Sequence, residues 1–258
     1  HYECQPFTEE LAVIQYDETT HTFTSPVHVS PNRTATEEIY NSLHYGLQSF
    51  MDSLGLKKVV IGVSGGIDSA VNAALYATVL PPENILLVNM PSCYNSQTTK
   101  GLAKELADNL SCLYTVIPVQ DSLELTRSQF SNAMLYQKDK PLGHLQLTSF
   151  IEENIQARDR SSRILAAAAA AFGGVFTCNA NKAESSVGYA TLYGDSAGFL
   201  AATADLWKHQ VYDLARYLND SVFKREVVPQ GSIDIVPSAE LSANQDIDKG
   251  QGDPIIYP

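Results

Sequence analysis

Six consecutive residues, Ser64-Gly65-Gly66-Ile67-Asp68-Ser69, put two glycines, two hydroxyls and a carboxylate between an apolar run and a helical one. Glycines let backbone N–H groups approach an anion with no Cβ in the way. A helix starting near Ser69 would aim the positive end of its dipole at the same spot, and the hydroxyls of Ser64 and Ser69 add donors. Phosphate binding is the chemistry this suits. Asp68 alone would repel phosphate, so a working Asp68 implies a Mg²⁺ between carboxylate and phosphates. The GK[ST] ending of the common kinase and GTPase loop is absent, which sets that reading aside. The bland reading is a tight Gly-Gly turn joining a strand to a helix.

The elements around this loop follow from hydrophobic spacing. Ile39, Leu43, Leu47, Phe50 and Leu54 recur every three or four residues, so a helix is expected from Thr36, with Thr36 as N-cap and Glu37 and Glu38 in the first turn. Strand 59–63 and helix 69–80 come next, followed by strand 85–90, helix 98–110 and strand 113–119. Alternation of this kind predicts a doubly wound α/β domain, a parallel sheet with helices on both faces. A long helix is expected from about Thr148 to Phe172. Its alanine run, Ala166 to Ala171, reads as close helix packing. Gly173-Gly174 should end it, with a fourth strand at 175–178 and a last helix at about 209–218.

Three further segments carry charge at telling places: Glu153-Asn154-Ile155-Gln156-Ala157-Arg158-Asp159-Arg160, Asn181-Lys182-Ala183-Glu184, and Val187-Gly188-Tyr189-Ala190-Thr191-Leu192-Tyr193-Gly194-Asp195. Arg158 and Arg160 can pair with phosphates or a carboxylate in two-pronged fashion, or lie on a solvated helix face. Glu184 follows the fourth strand, at the end of a parallel sheet where ligand sites form; it also suits a helix first turn. Asp195 suits a turn after Gly194, and Ser238 an N-cap before Ala239-Glu240.

The six-residue loop resembles the SGGxDS loop of the ATP pyrophosphatase superfamily, which implies an adenine nucleotide alpha hydrolase-like fold and cleavage between the α- and β-phosphates of ATP. The three later segments resemble the ENxQAR, NKxE and VGYxTxYGD segments of NAD synthetases, in the family's order. Lys208 and Pro237-Ser238-Ala239-Glu240-Leu241 extend the match, which covers roughly residues 36–245. The resemblance implies ATP-dependent amidation of deamido-NAD to NAD through an adenylated intermediate, with AMP and pyrophosphate released. It implies ATP contacts from Ser64, Gly65, Gly66, Asp68, Ser69, Asn179, Lys208 and Ser238. Deamido-NAD contacts would come from Asn154, Arg158, Glu184 and Asp195, metal ligation from Asp68, Glu184 and Ser238, and catalysis from Asp68 and Lys208. Two positions depart from the pattern. Asn179 stands where the family often has Thr or Ser, so an amide of different reach replaces a hydroxyl, and Cys93 stands where Arg is frequent.

Composition narrows the partners. The 258 residues are 44% hydrophobic, enough for one large domain, and the formal net charge is −12. That balance argues against coating nucleic acid, which needs a surplus of Lys and Arg. With no CxxC pair among Cys4, Cys93, Cys112 and Cys178, it also weighs against a tRNA-modifying ligase of the same superfamily. A non-catalytic nucleotide-binding module would have no need of Asp68, Glu184 and Lys208 together. A cytoplasmic setting with no membrane span fits the scattered cysteines and the apolar runs. Residues 1–35, through Ser25, Pro26, Pro31 and Asn32, read as the tail of a preceding domain plus a linker, with residues 36–258 the synthetase domain, for which a cut at the C-terminus is one expectation. In glutamine-dependent members of the family a glutaminase domain takes that place and supplies ammonia; a dimer of synthetase domains is expected.

Overall fold

Val59, Val60 and Ile61 alternate between the two faces of a strand and are fully buried on both, as a central parallel strand requires. The computed structural model describes Cys4, residues 6–24 and residues 33–253. The expected linker residues Ser25, Pro26, Pro31 and Asn32, and the stretch Pro254 to Pro258, lie outside these. β3 (Val59–Gly62) pairs in parallel with β4 (Ile85–Asn89) on one side and β8 (Val175–Phe176) on the other, and β4 pairs with β5 (Leu113–Val116). The order β5-β4-β3-β8 makes β3 the strand at which the winding reverses. The two strands preceding them, β1 (Gln15–Asp17) and β2 (Thr22–Thr24), form a separate exposed hairpin. The apolar residues Leu11, Ala12, Val13 and Ile14 stand just ahead of β1, without regular structure.

Helices cover both faces, as alternation predicted. Val59 and Ile61 pack with α1 (Ala35–Ser53), α2 (Ile67–Tyr76), α3 (Gln97–Leu110) and α8 (Lys208–Tyr217). On the opposite face Val60 and Val88 meet Val119, Ile164, Leu165 and Ala169. Among the described residues no helix is long and apolar enough to cross a membrane.

Several boundaries moved for identifiable reasons. The cap of α1 is Thr34, whose Oγ1 accepts from the N–H of Glu37 at 3.2 Å, so Thr36 lies inside the helix. α2 starts at Ile67, which brings Asp68 and Ser69 into its first turn. The long helix is three pieces: α5 (Ser149–Arg158), a π-helical stretch (Asp159–Leu165) and α6 (Ala166–Phe172), closed by left-handed Gly173. Of its alanines, Ala169 is buried, whereas Ala167, Ala170 and Ala171 are exposed, so the run is packed along one stripe only. Elements absent from the sequence reading are α4 (Gln120–Asn132), the hairpin of β6 (Met134–Gln137) and β7 (Lys140–His144), α7 (Lys182–Val187) and α9 (Gln230–Asp234).

Candidate active site

The chain leaves β3 through Val63 into the glycine turn, and Gly65 adopts φ +91° there. A Cβ at Gly65 would stand 2.2 Å from the carbonyl oxygen of Thr99 in α3, so only glycine fits both the conformation and the contact. Ser232 fastens the turn from the other side, donating its hydroxyl to the Gly65 carbonyl at 2.8 Å. Gly66 caps α2 without a side-chain acceptor, which leaves first-turn N–H groups of a ten-residue helix facing the turn. The loop partly satisfies itself: the N–H of Gly66 donates to Ser64 Oγ at 3.2 Å, and the Ser69 hydroxyl donates to the Gly66 carbonyl at 3.0 Å. Ser69 therefore shapes the loop as well as lining it.

Where this turn runs into α2, three charged groups meet at Asp68. Lys208, at the start of α8 and 7% exposed, places Nζ 2.5 Å from Asp68 Oδ2 and 3.9 Å from Glu184 Oε1. Burial works to lower the Lys208 pKa, but the Asp68 and Glu184 carboxylates outweigh it and hold the ammonium above its ordinary value. Asn181 organises the acids. Its amide donates to Asp68 Oδ1 at 2.9 Å, its Oδ1 accepts from the N–H of Glu184 at 3.1 Å, and the Glu184 side chain accepts from the Asn181 N–H in return. Glu184 thus serves as a helix-capping acid and a pocket acid at once.

A cavity of about 270 Å³ joins the turn to this cluster. Asn179 lines it with its amide bonded to the Gly62 carbonyl at 2.8 Å, so the residue that departs from the family pattern ties the end of β8 to the end of β3. Asp195 lines the far side and accepts from the Thr191 N–H; burial raises its pKa above the ordinary carboxylate value. Asn154 stands behind, accepting the Thr191 hydroxyl at 3.0 Å, and does not line the cavity. The two arginines divide. Arg158 is exposed and donates to the Leu192 carbonyl, whereas Arg160 lines the cavity and donates from Nε to the Met90 carbonyl at 3.0 Å. Burial pushes the Arg160 pKa down to about 10, which still leaves it protonated at neutral pH.

Ser238 does not cap a helix. It sits in an irregular segment, donates to the Gln245 carbonyl at 2.9 Å and accepts from the Glu240 N–H. Ser238 lines the same cavity as Asp68 and Glu184. Among the described residues no group of three His, Cys, Asp or Glu side chains forms a metal cluster. The two carboxylates converge on Lys208 Nζ, so the cation between them in this structure is the ammonium; carboxylate oxygens are also the donors that a hard divalent cation takes. Sequence reasoning passed over Asn181 and Glu240. The buried Glu240 carboxylate takes bonds from Asn95, the Ser96 N–H and Thr99, pinning its segment to the start of α3. The capping spacing Asn181-x-x-Glu184 was a readable signal; nothing local marked Glu240.

A parallel sheet whose winding reverses at the strand that launches a glycine turn, above a carboxylate–lysine–carboxylate cluster, defines a nucleotide-binding α/β domain of the adenine nucleotide alpha hydrolase-like fold. The NAD synthase family model matches residues 39–253, and the chain belongs to that family. It is 36% identical over 241 residues to the glutamine-dependent NAD(+) synthetase of Synechocystis, covering 93% of this chain and 40% of that protein. The chain thus spans about two-fifths of the length of the curated relatives it matches. Among solved structures, glutamine-dependent NAD+ synthetase from Acinetobacter baumannii, in complex with ADP, superimposes with a TM-score of 0.76 at 29% identity over 90% of this chain and 42% of that one. NMN synthetase from Francisella tularensis superimposes at 0.70 with 28% identity, over 84% of this chain and 81% of that one.

Proposed function

We propose that this domain converts deamido-NAD to NAD in two steps. The nicotinate carboxylate attacks the α-phosphorus of ATP, a P–O bond forms, the bond to the β-phosphate oxygen breaks, and pyrophosphate leaves. Ammonia then attacks the resulting acyl adenylate, AMP departs, and the lost proton leaves the amide. Both steps need polyanions brought together and their charge met, which is work for a preorganised cationic pocket. The observation that carries this reading is the Asp68–Lys208–Glu184 cluster, built partly from the Ser64–Ser69 turn itself and lining the same cavity as its glycines.

In this reading the N–H groups at the start of α2, with Gly65 and Gly66, cradle phosphate oxygens, and Lys208 neutralises charge building on the leaving pyrophosphate. Asp68 and Glu184 would hold Mg²⁺, which supplies electrostatic screening of the triphosphate. Asp195, with Arg158 and Asn154 behind the same Leu192–Thr191 segment, orients the dinucleotide. No side chain acts as nucleophile. Ammonia comes from glutamine hydrolysed by a glutaminase domain, as the names of the longer relatives suggest; the working unit is a dimer in the cytoplasm. A direct test supplies ATP, Mg²⁺ and ammonium with deamido-NAD or nicotinate mononucleotide, the latter because an NMN synthetase is among the structural relatives. NAD formed with matching pyrophosphate is the expected product. Turnover of the mononucleotide alone would reassign the acceptor, and turnover of neither acid would overturn the reading.

A further inference from the structure

Residues 237–253 leave the fold at Pro237 and return to the same place. Asp253 donates its N–H to the Pro237 carbonyl at 2.9 Å, and Gly252 passes so near that a Cβ there would meet Val236 Cγ1 at 2.3 Å. Between these ends the Ser238 hydroxyl and the Leu241 N–H both bind Gln245, and Thr98 of α3 donates to Asp248 at 2.7 Å. The result is a strap that forms one wall of the cavity.

The centre of the strap is a single oxygen. Asp253 Oδ1 accepts from the Ala239 N–H at 3.0 Å, from the Gln245 amide at 2.9 Å and from the Tyr189 hydroxyl at 3.2 Å. Tyr189 also accepts from the Gln245 amide at 3.2 Å, which closes the network. Ala239 adjoins Ser238, which the family resemblance assigns to ATP, while Tyr189 belongs to the segment that runs to Asp195, which the proposed function assigns to the dinucleotide. These segments are far apart in sequence, and Asp253 joins them. Burial raises the Asp253 pKa, so the carboxylate is kept in this place at a cost, and three donors on one oxygen offset it.

We propose that Asp253 is a positioning residue that sets the Tyr189 segment and the Ser238–Glu240 segment in one register, so that the two substrates meet across the cavity. The proposal rests on the functional reading above for the identity of those substrates. Its chemistry is acceptor geometry: Asp253 presents an oxygen to fixed donors and touches no reacting atom.

Three variants of the full chain test it: Asp253→Ala, Asp253→Asn and Tyr189→Phe. Asp253→Ala should raise KM for both ATP and deamido-NAD about tenfold, with kcat changed less than about threefold. Asp253→Asn keeps an acceptor oxygen and should stay within about threefold of the parent in every constant. Tyr189→Phe, which removes one donor, should raise KM for the dinucleotide alone. Hydrogen exchange at the Ala239 amide in the ligand-free chain reads the strap without catalysis and should speed up about tenfold in Asp253→Ala. An Asn variant as damaged as the Ala variant would mean that charge, not acceptor geometry, matters, and would overturn the proposal. Unchanged exchange at Ala239 would overturn it as well. Should the protein use another acid in place of deamido-NAD, the exchange result still stands and the KM comparison is made with that acid, so the two failures are distinct.

Discussion

Replacing Lys208 by Met removes the ammonium and keeps most of the side-chain volume. In the protein that ammonium is 7% exposed and lies between two carboxylate side chains that are each 20% exposed. Removing one partner of a fully buried pair costs about 3–5 kcal/mol; because both carboxylates remain partly wetted, a loss of about 2–3 kcal/mol is expected. For a domain of this size, at roughly 2–4 °C per kcal/mol, Tm should fall by about 4–12 °C. The Lys208 pKa is raised, so its stabilisation is fully present below the ordinary value of 10.5 and is lost only as pH climbs past the folded value. At pH 7 the full deficit should therefore appear. Millimolar Mg²⁺ should restore part of it in the variant, because Asp68 and Glu184 regain a cation, and should raise the parent's Tm less. Turnover should drop about 10²–10³-fold through lost charge stabilisation. Calorimetry with and without Mg²⁺, paired with a pyrophosphate-release assay, reads all of this. A variant that melts within about 1 °C of the parent, or gains no more from Mg²⁺, would refute the idea that these carboxylates are held together by Lys208.

Asp68→Asn should still fold, with a lowered Tm because Lys208 loses its nearer carboxylate, and should lose pyrophosphate formation, since an amide is a poor ligand for a hard cation; near-normal turnover in a folded variant would remove Asp68 from that role. Gly65→Ala should destabilise by more than about 2 kcal/mol in urea unfolding, because the left-handed φ and the Thr99 carbonyl both oppose a Cβ. Asp195→Asn should show the opposite sign. Its raised pKa means that ionisation weakens the fold as pH rises from the ordinary 3.8 to the folded value. The variant should thus match the parent at acid pH, melt higher at pH 7, and bind deamido-NAD more weakly; equal melting at both pH values would contradict the assignment.

The phosphate loop and its surroundings were legible because local rules agree there: a β-branched run, a double glycine and a helix with apolar spacing leave one reading. Asp68, Glu184 and Lys208, far apart in sequence, do converge, and what pointed to them was the order of the segments, not any local property. Other parts lacked a local signal. The turn between β6 and β7 is built on Lys138 and Asp139 in left-handed conformation, with none of the glycine that usually marks such a hairpin. The π-helical stretch at Asp159–Leu165 hides inside an unbroken helical pattern. Asp253 and Glu240 reveal their roles only when the strap folds back, since each is bonded to donors from distant segments. Ser238 looked like a cap because Ala-Glu follows it, but Glu240 turns left-handed at φ +48° and no helix forms.

The most direct test of the two-step amidation uses deamido-NAD labelled with ¹⁸O in both oxygens of its nicotinate carboxylate. The oxygen that attacks phosphorus must leave with AMP when ammonia displaces it. Mass spectrometry after a complete reaction should find one ¹⁸O in AMP, one in the new amide and none in pyrophosphate. Label in pyrophosphate or inorganic phosphate, or AMP free of label, would contradict attack of the carboxylate on the α-phosphorus.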